Sequence, residues 1–368
     1  MKKFFKLIGI IVLAAVIGFS MAACEDGGGS GSGGGGNSFL DKLVNNATDS
    51  VGAGKGGDTD GEEEEGWPLI NNLSDIYAIA YGNGMFVAGG KYGTMATSMD
   101  GITWTAVLDK NNPFFYDSKA FAYDIKAIAY GNGKFVAGGE GGKMATSSDG
   151  IKWTDVDVSG IFLVDDNDTT VPCHIYAIAY GNGKFVAGGE YGTMATSTDG
   201  VKWTAVSDKN NPFFNNNKAF DIYAIVYGNG KFVAGGEKGK MTTSSDDGKT
   251  WTAVDDSKFG KSDDIKAIAY GNGKFVAGGE GSKMTTSSDG GKTWTVGKFL
   301  FPDINAIAYG DDTFVAGGYS GTMVTSTDGI EWTNVRGLNF FDINAIAYGN
   351  GKFVVGCEEG KIAVSPGK

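Results

Sequence analysis

The sequence predicts an all-β fold, a seven-bladed β-propeller of four-stranded blades, and three observations predict it. A segment of the form Ile-x-Ala-Ile-Ala-Tyr-Gly-Asn-Gly-x-Phe-Val-Ala-Gly recurs seven times after residue 66, its first Ile at 76, 125, 175, 222, 265, 304 and 343. The mean spacing is about 43 residues, the length of four short strands with their turns. Seven Trp residues distribute one to a repeat once the ends of the ring are joined.

Each repeat reads in order. Ile76 to Tyr81 and Met85 to Gly89 are short apolar strands joined at Gly-Asn-Gly, a hairpin turn because Asn and Gly accept positive φ. Thr94 to Ser98 is a third strand, and after a further turn a fourth begins at Trp104. Its counterparts begin at Trp153, Trp203, Trp251, Trp294 and Trp332. The seventh repeat ends at its third strand, and Trp67, in Gly66-Trp-Pro-Leu-Ile70, stands ahead of the first. The expectation is that this amino-terminal strand completes the last blade and leaves no open edge. Tyr81, Tyr130, Tyr180, Tyr227, Tyr270, Tyr309 and Tyr348 close the first strand in every repeat, which marks them as blade packing rather than binding.

The remaining chain divides at residues 23 and 66. Residues 1–23 carry Lys2, Lys3 and Lys6 before an apolar stretch from Leu7 to Phe19, a signal peptide too short to span comfortably. Residues 24–66 form a Gly/Ser-rich acidic tether, with a coil reach of about 35–40 Å. Within it, Ser38 is placed to cap a short helix bearing Phe39, Leu40, Leu43 and Val44. Residues 67–368 are the propeller. Of the 62 Gly, those in the tether serve flexibility; most others fall at repeated turns and strand ends, with no collagen-like period of three.

Met21-Ala22-Ala23-Cys24 resembles a relaxed bacterial lipobox, which implies lipidation of Cys24 and a membrane anchor in the cell envelope; plain export with cleavage after Ala23 is the alternative. The turn before each Trp resembles the Asp-box of sialidase-type (BNR) repeats, Ser-x-Asp-x-Gly-x-Thr-Trp. Ser244 to Trp251 and Ser287 to Trp294 match throughout; four copies are one residue shorter. The resemblance implies a structural role for Asp100, Asp149, Asp199, Asp246, Asp289 and Asp328, which tie the turn away from the active face. Catalysis does not carry over, because sialidases hold their substrate carboxylate with three arginines and this chain has only Arg336. Asp-box propellers without catalysis occur in sorting receptors and photosystem assembly factors. The whole repeat domain looks most like uncharacterised propeller lipoproteins of bacteria such as spirochaetes.

Chemistry is further limited by the single His174, which rules out a His-rich metal site. A net charge of −12 with one Arg leaves little to displace counterions from a phosphate backbone, so nucleic acid is excluded as a partner. Cys173 and Cys357 lie far apart in the repeat scheme and read as isolated thiols.

Sequence variation concentrates in the inter-blade inserts 108–123, 157–173, 207–220, 255–263, 297–302 and 336–341, on the face that also carries the turns between second and third strands. At the channel mouth on that face stand Asp75, Asp124, His174, Asp221, Asp264, Asp303 and Asp342, each just before a first strand. Tyr77, Tyr176 and Tyr223 follow two residues later, where other repeats have Lys126, Lys266, Asn305 and Asn344. Glu140, Glu190, Glu237, Glu280 and Glu358 start the neighbouring turns. Carboxylates beside exposed tyrosines suit a polyhydroxylated ligand or a hard cation such as Ca²⁺. The alternative is that each Asp caps backbone amides. No cofactor is otherwise implied. Apolar groups of the inserts (Phe114-Phe115-Tyr116, Ile161 to Val164, Phe213-Phe214) either fold over the blades or form a partner patch, and Asp165 to Asp168 offer oxygen ligands.

Three functions fit: a non-catalytic binding module for a protein or glycan on the variable-loop face, a glycosidase using two mouth carboxylates about 5–9.5 Å apart, or an envelope-assembly scaffold. The binding module accounts best for variable loops on a constant ring.

Overall fold

A computed structural model describes residues 73–115, 122–166, 169–215, 218–254, 257–297, 302–335 and 341–365. The signal segment, Cys24, the tether and the strand at Trp67 lie outside the described residues. Those described form a seven-bladed all-β propeller with no α-helix among them. Six blades are four-stranded antiparallel sheets in simple up-and-down order, and the seventh shows three strands among the described residues. The first blade comprises Ile76–Gly82, Met85–Gly90, Met95–Ser98 and Thr105–Ala106. The last comprises Ile343–Gly349, Lys352–Cys357 and Ile362–Val364. Two extra hairpins, Leu163–Asp166 with Thr169–Pro172 and Phe214–Asn215 with Lys218–Ala219, arise from the inserts.

First strands surround the channel and bury almost every side chain, because both sheet faces are covered by neighbouring blades. Blade-on-blade packing is a repeated lock. The ring of Tyr130 lies on the backbone of Gly82, Tyr180 on Gly131, Tyr227 on Gly181, and so on around the circle. The circuit closes with Tyr81 of the first blade on Gly349 of the last, and Ile76 against Gly356. Lys352 Nζ also donates to the Asp100 carbonyl at 3.5 Å, so the first and last blades are packed neighbours. Each of these tyrosines stacks on the Phe of its own hairpin, as Tyr81 does on Phe86 with centroids 4.6 Å apart.

The turn between third and fourth strands is held by one carboxylate. The amides of Ile102 and Thr103 donate to Asp100 Oδ1 at 2.8 and 2.7 Å, and Ser98 Oγ donates to it at 2.9 Å. Trp104 Nε1 then donates to the Gly101 carbonyl at 2.7 Å, pinning the indole beside Phe86. The longer turn at Asp289 adds Thr293 Oγ1, 2.7 Å from Oδ2. Burial alone raises the Asp100 and Asp289 carboxyls, but these donors outweigh it and hold both at about 2. Asp149, Asp199, Asp246 and Asp328 are also lowered.

A carboxylate lowered in the folded state stabilises above its unfolded pKa and loses that contribution as pH falls through the folded value. The melting temperature is therefore expected to drop between about pH 4 and pH 2, and circular dichroism melts across that range check it. Asp289→Asn, which keeps an acceptor without the charge, is expected to flatten the drop.

Cys173 and Cys357 are buried free thiols, both pushed up to about 12 by burial first and then by nearby carboxylates.

Candidate functional site

The residues before the first strands form a ring of backbone clasps at the channel mouth. Asp124 Oδ1 accepts the Tyr92 amide from the preceding blade at 2.8 Å, and Asp221 Oδ1 accepts the Tyr191 amide at 2.8 Å. Asp264 takes Lys238 at 3.0 Å and Asp342 takes Ser320 at 2.8 Å. His174 plays the same part through Nδ1, which accepts the Gly141 amide at 2.9 Å. Asp75 accepts the Glu359 amide of the last blade at 2.9 Å, so the clasps also cross the seam. Asp303 is exposed and, among the described residues, its carboxylate takes no such donor. Within a blade, the Glu140, Glu190, Glu237 and Glu280 carboxylates accept the amides of Asp124, His174, Asp221 and Asp264. These interactions follow the amide-capping alternative rather than an open carboxylate array.

The tyrosines are not exposed, which corrects the expectation of rings offered for stacking. Tyr77, Tyr176 and Tyr223 are only 8, 6 and 2% exposed. The physical reason is a β-bulge in every first strand at the residue after Ile, which turns that side chain into the channel. Tyr176 and Tyr223 pack with centroids 5.6 Å apart, Lys126 Nζ sits 4.1 Å over the Tyr77 ring, and Lys266 Nζ 5.0 Å over Tyr223. Together they plug the ring. The plug is wired to the mouth: Tyr77 and Tyr223 hydroxyls donate to Asp75 and Asp221 Oδ2 at 3.3 Å. Lys126 pairs with Asp124 Oδ2 at 2.8 Å, and Lys266 bridges Asp264 Oδ2 at 3.4 Å and Glu280 Oε1 at 3.1 Å.

Electrostatics at the mouth oppose those of the outer turns. Burial raises the Asp221 carboxyl against the bond from Tyr191, with Glu190 and Glu237 adding to the rise. Burial also raises Glu358, followed by Asp342 and Asp75. Protonating these two groups at low pH returns some stability and partly offsets the acid loss described above. Among the described residues no three His, Cys, Asp or Glu side chains gather as a metal site, so the Ca²⁺ reading finds no cage there. Asn167 and Asp168 of the acidic loop lie outside the described residues.

The inserts fold inward. Phe114, Phe162 and Phe213 are buried at 0, 1 and 0% exposure. Asn112 Nδ2 and Asn211 Nδ2 donate to the Gly93 and Gly192 carbonyls at 2.6 Å, and the carbonyls of Asn111 and Asn210 accept the amides of Trp153 and Trp251 in the next blades. A cleft of about 540 Å³ remains beside the second insert, lined by Lys143, Asp155, Asp157, Ser159, Phe162 and Leu163 among others.

The loop face presents a group that sequence reasoning passed over. Tyr92 and Tyr191, in the turns between second and third strands, are 43 and 47% exposed and sit at φ 56° and 54°. The equivalent positions in the other blades are Gly141, Lys238, Gly281, Ser320 and Glu359, all also at positive φ. A bulky side chain in the left-handed region costs about 1 kcal/mol or more relative to Gly. Tyr123, 39% exposed, lies over Gly141 between them, its Cε1 3.2 Å from where a Cβ would stand. Tyr319, in the same turn of the sixth blade, is 59% exposed. The available signal was the variation of one turn position (Tyr, Gly, Lys, Ser or Glu) in an otherwise constant repeat.

No protein-family model matches the chain, and no curated protein matches it. Solved structures do. It is similar to YCF48 bound to D1 peptide, at 15% identity and a TM-score of 0.60, covering 82% of this chain and 96% of that one. YCF48 from Cyanidioschyzon merolae matches at 15% identity and a TM-score of 0.61, covering 80% and 97%. The WD40 propeller domain of Doa1 matches at 12% identity and a TM-score of 0.56, covering 80% and 94%. At these identities what is shared is the propeller fold.

Proposed function

We propose that this protein is a lipid-anchored, non-catalytic binding module of the bacterial cell envelope that takes a protein segment on its loop face. The observation that carries the reading is the pair Tyr92 and Tyr191, exposed aromatics at a loop-face turn position whose residue changes from blade to blade. Variation at one exposed position of a constant scaffold is where binding residues usually sit. Exposed aromatic side chains are also the commonest anchors of protein interfaces. A protein segment is favoured over a glycan because a propeller of similar fold is known bound to a peptide, the D1 peptide of YCF48. The carboxylate-held turns at Asp100 and its counterparts support the Asp-box reading, with these residues in a structural role. Anchoring rests on Cys24 and the basic and apolar segment before it.

The test is surface plasmon resonance of the full chain against peptide arrays of envelope proteins and a glycan panel. Tyr92→Ala with Tyr191→Ala is expected to weaken the bound peptide by about 30-fold or more, with an unchanged melting curve. Binding only to glycans, or peptide binding indifferent to both tyrosines, overturns the reading.

A further inference from the structure

The repeats supply an internal comparison at the channel mouth. In the fifth blade the bulge residue Lys266 places Nζ between Asp264 Oδ2 and Glu280 Oε1, at 3.4 and 3.1 Å. The seventh blade keeps both acceptors, as Asp342 and Glu358, and has Asn344 where the lysine would be. Four blades in all wire the bulge side chain to the Asp two residues before it, through Tyr77, Lys126, Tyr223 or Lys266. Asn344 is too short to follow. It is fully buried, and both its Nδ2 and its Oδ1 lack a partner. A buried amide left so costs about 1–3 kcal/mol.

The deficit extends to the acids. Asp342 Oδ1 holds the Ser320 amide, but among the described residues no donor reaches Oδ2 or the Glu358 carboxylate. Asp342 and Glu358 are half-buried, and the Asp342 charge acts on Glu358. The sixth blade lacks this combination, because Tyr319 replaces the turn Glu there.

We propose that the mouth of the seventh blade is a binding site for a primary alkylammonium group, held by Asp342 and Glu358 over the Asn344 amide. The ligand ammonium takes the position that Lys266 Nζ occupies in the fifth blade, and the Asn344 Oδ1 accepts one of its three protons. Two carboxylates without a third acidic or imidazole ligand favour an ammonium over a divalent metal ion. The group arrives either as a lysine side chain of a partner protein or as a free amine. The site is distinct from Tyr92 and Tyr191 and stands or falls without them.

Saturation-transfer NMR on the full chain tests it, with n-butylammonium, Nα-acetyl-lysine amide and its Nε-acetylated form as probes. Transfer to the first two and none to the third is expected, with dissociation constants of about millimolar. A lysine peptide that binds roughly tenfold or more tightly than butylammonium assigns the site to a protein partner, and equal affinity assigns it to free amines. Asn344→Lys supplies the ammonium from within the chain and is expected to abolish binding. Glu358→Gln, an isosteric change that keeps the fold if Asn344→Lys does not, is expected to weaken it about tenfold. Absence of transfer in the unaltered chain, or full binding retained by Glu358→Gln, overturns the proposal.

Discussion

Gly181→Ala is expected to destabilise the propeller by about 3 kcal/mol, although the position is neither in a turn nor at a positive φ. A Cβ there would overlap the ring carbons of Tyr227 from the next blade. That ring is itself held against Phe232, with centroids 4.8 Å apart, so it has little room to retreat. For a chain of this size the loss corresponds to a fall in melting temperature of about 5 °C. Gly183→Ala, two residues on, separates packing from backbone effects. Gly183 has φ +75° with no atom within 4 Å of a Cβ, so alanine there strains only the turn, by about 1 kcal/mol. Adding Tyr227→Ala to Gly181→Ala removes the overlap, and the pair is expected to lose less than the sum of the two single changes. Equal melting for Gly181→Ala and Gly183→Ala would sink the packing account.

This lock explains why the fold was legible before any coordinate. A residue demanded by blade-on-blade contact has to recur with the blade, so Tyr81 and its six counterparts announced the period together with Gly82 and its own. The outer turns were equally plain, since Ser98 pairs with Asp100 and Trp104 with the Gly101 carbonyl within seven residues. What sequence could not supply was direction. A bulge turns Tyr77, Tyr176 and Tyr223 into the channel, and no local pattern of apolar and polar residues encodes a bulge.

For the mouth carboxylates the sequence left two readings, ligand binding and amide capping, and could not name the capped amides. Asp124, Asp221 and Asp264 carry the residue type of a ligand-binding group, and the actual partner of each is an amide in the turn of the preceding blade. Such partners lie about 30 residues away and appear only when the ring is assembled. The two proposals rest where the repeats disagree with themselves: at the variable turn position of Tyr92 and Tyr191, and at Asn344 against Lys266. A ring of near-identical blades makes each departure visible, because the other blades show what the scaffold alone requires.

Phe213→Ala, by contrast with any change on the exposed face, is expected to cost about 3–5 kcal/mol. Residues 109–115 and 208–214 share the sequence Asp-Lys-Asn-Asn-Pro-Phe-Phe, and of the two readings for the insert aromatics the structure makes their first Phe a staple over the blades. Phe213 is fully buried between the Gly192 turn of one blade and Gly236 of the next, packed with Ile222, Tyr223 and Trp251. Asn211 fixes its approach, accepting the Phe213 amide at 3.1 Å while donating to Gly192. The second aromatic of the pair, Phe214, is only partly buried, so Phe214→Ala is expected to cost about 1 kcal/mol or less. Phe114 and Phe115 repeat the arrangement at the first blade, with Phe114 buried and Phe115 half-exposed. Melting the four single variants therefore predicts two large losses and two small ones, divided by position within each pair rather than between the two inserts. Because both inserts clasp the Trp of the following blade, Trp153 or Trp251, the large losses should also expose those indoles, read as a red shift in tryptophan emission below the melting transition. Four similar losses would return the inserts to the role of a loosely held partner patch.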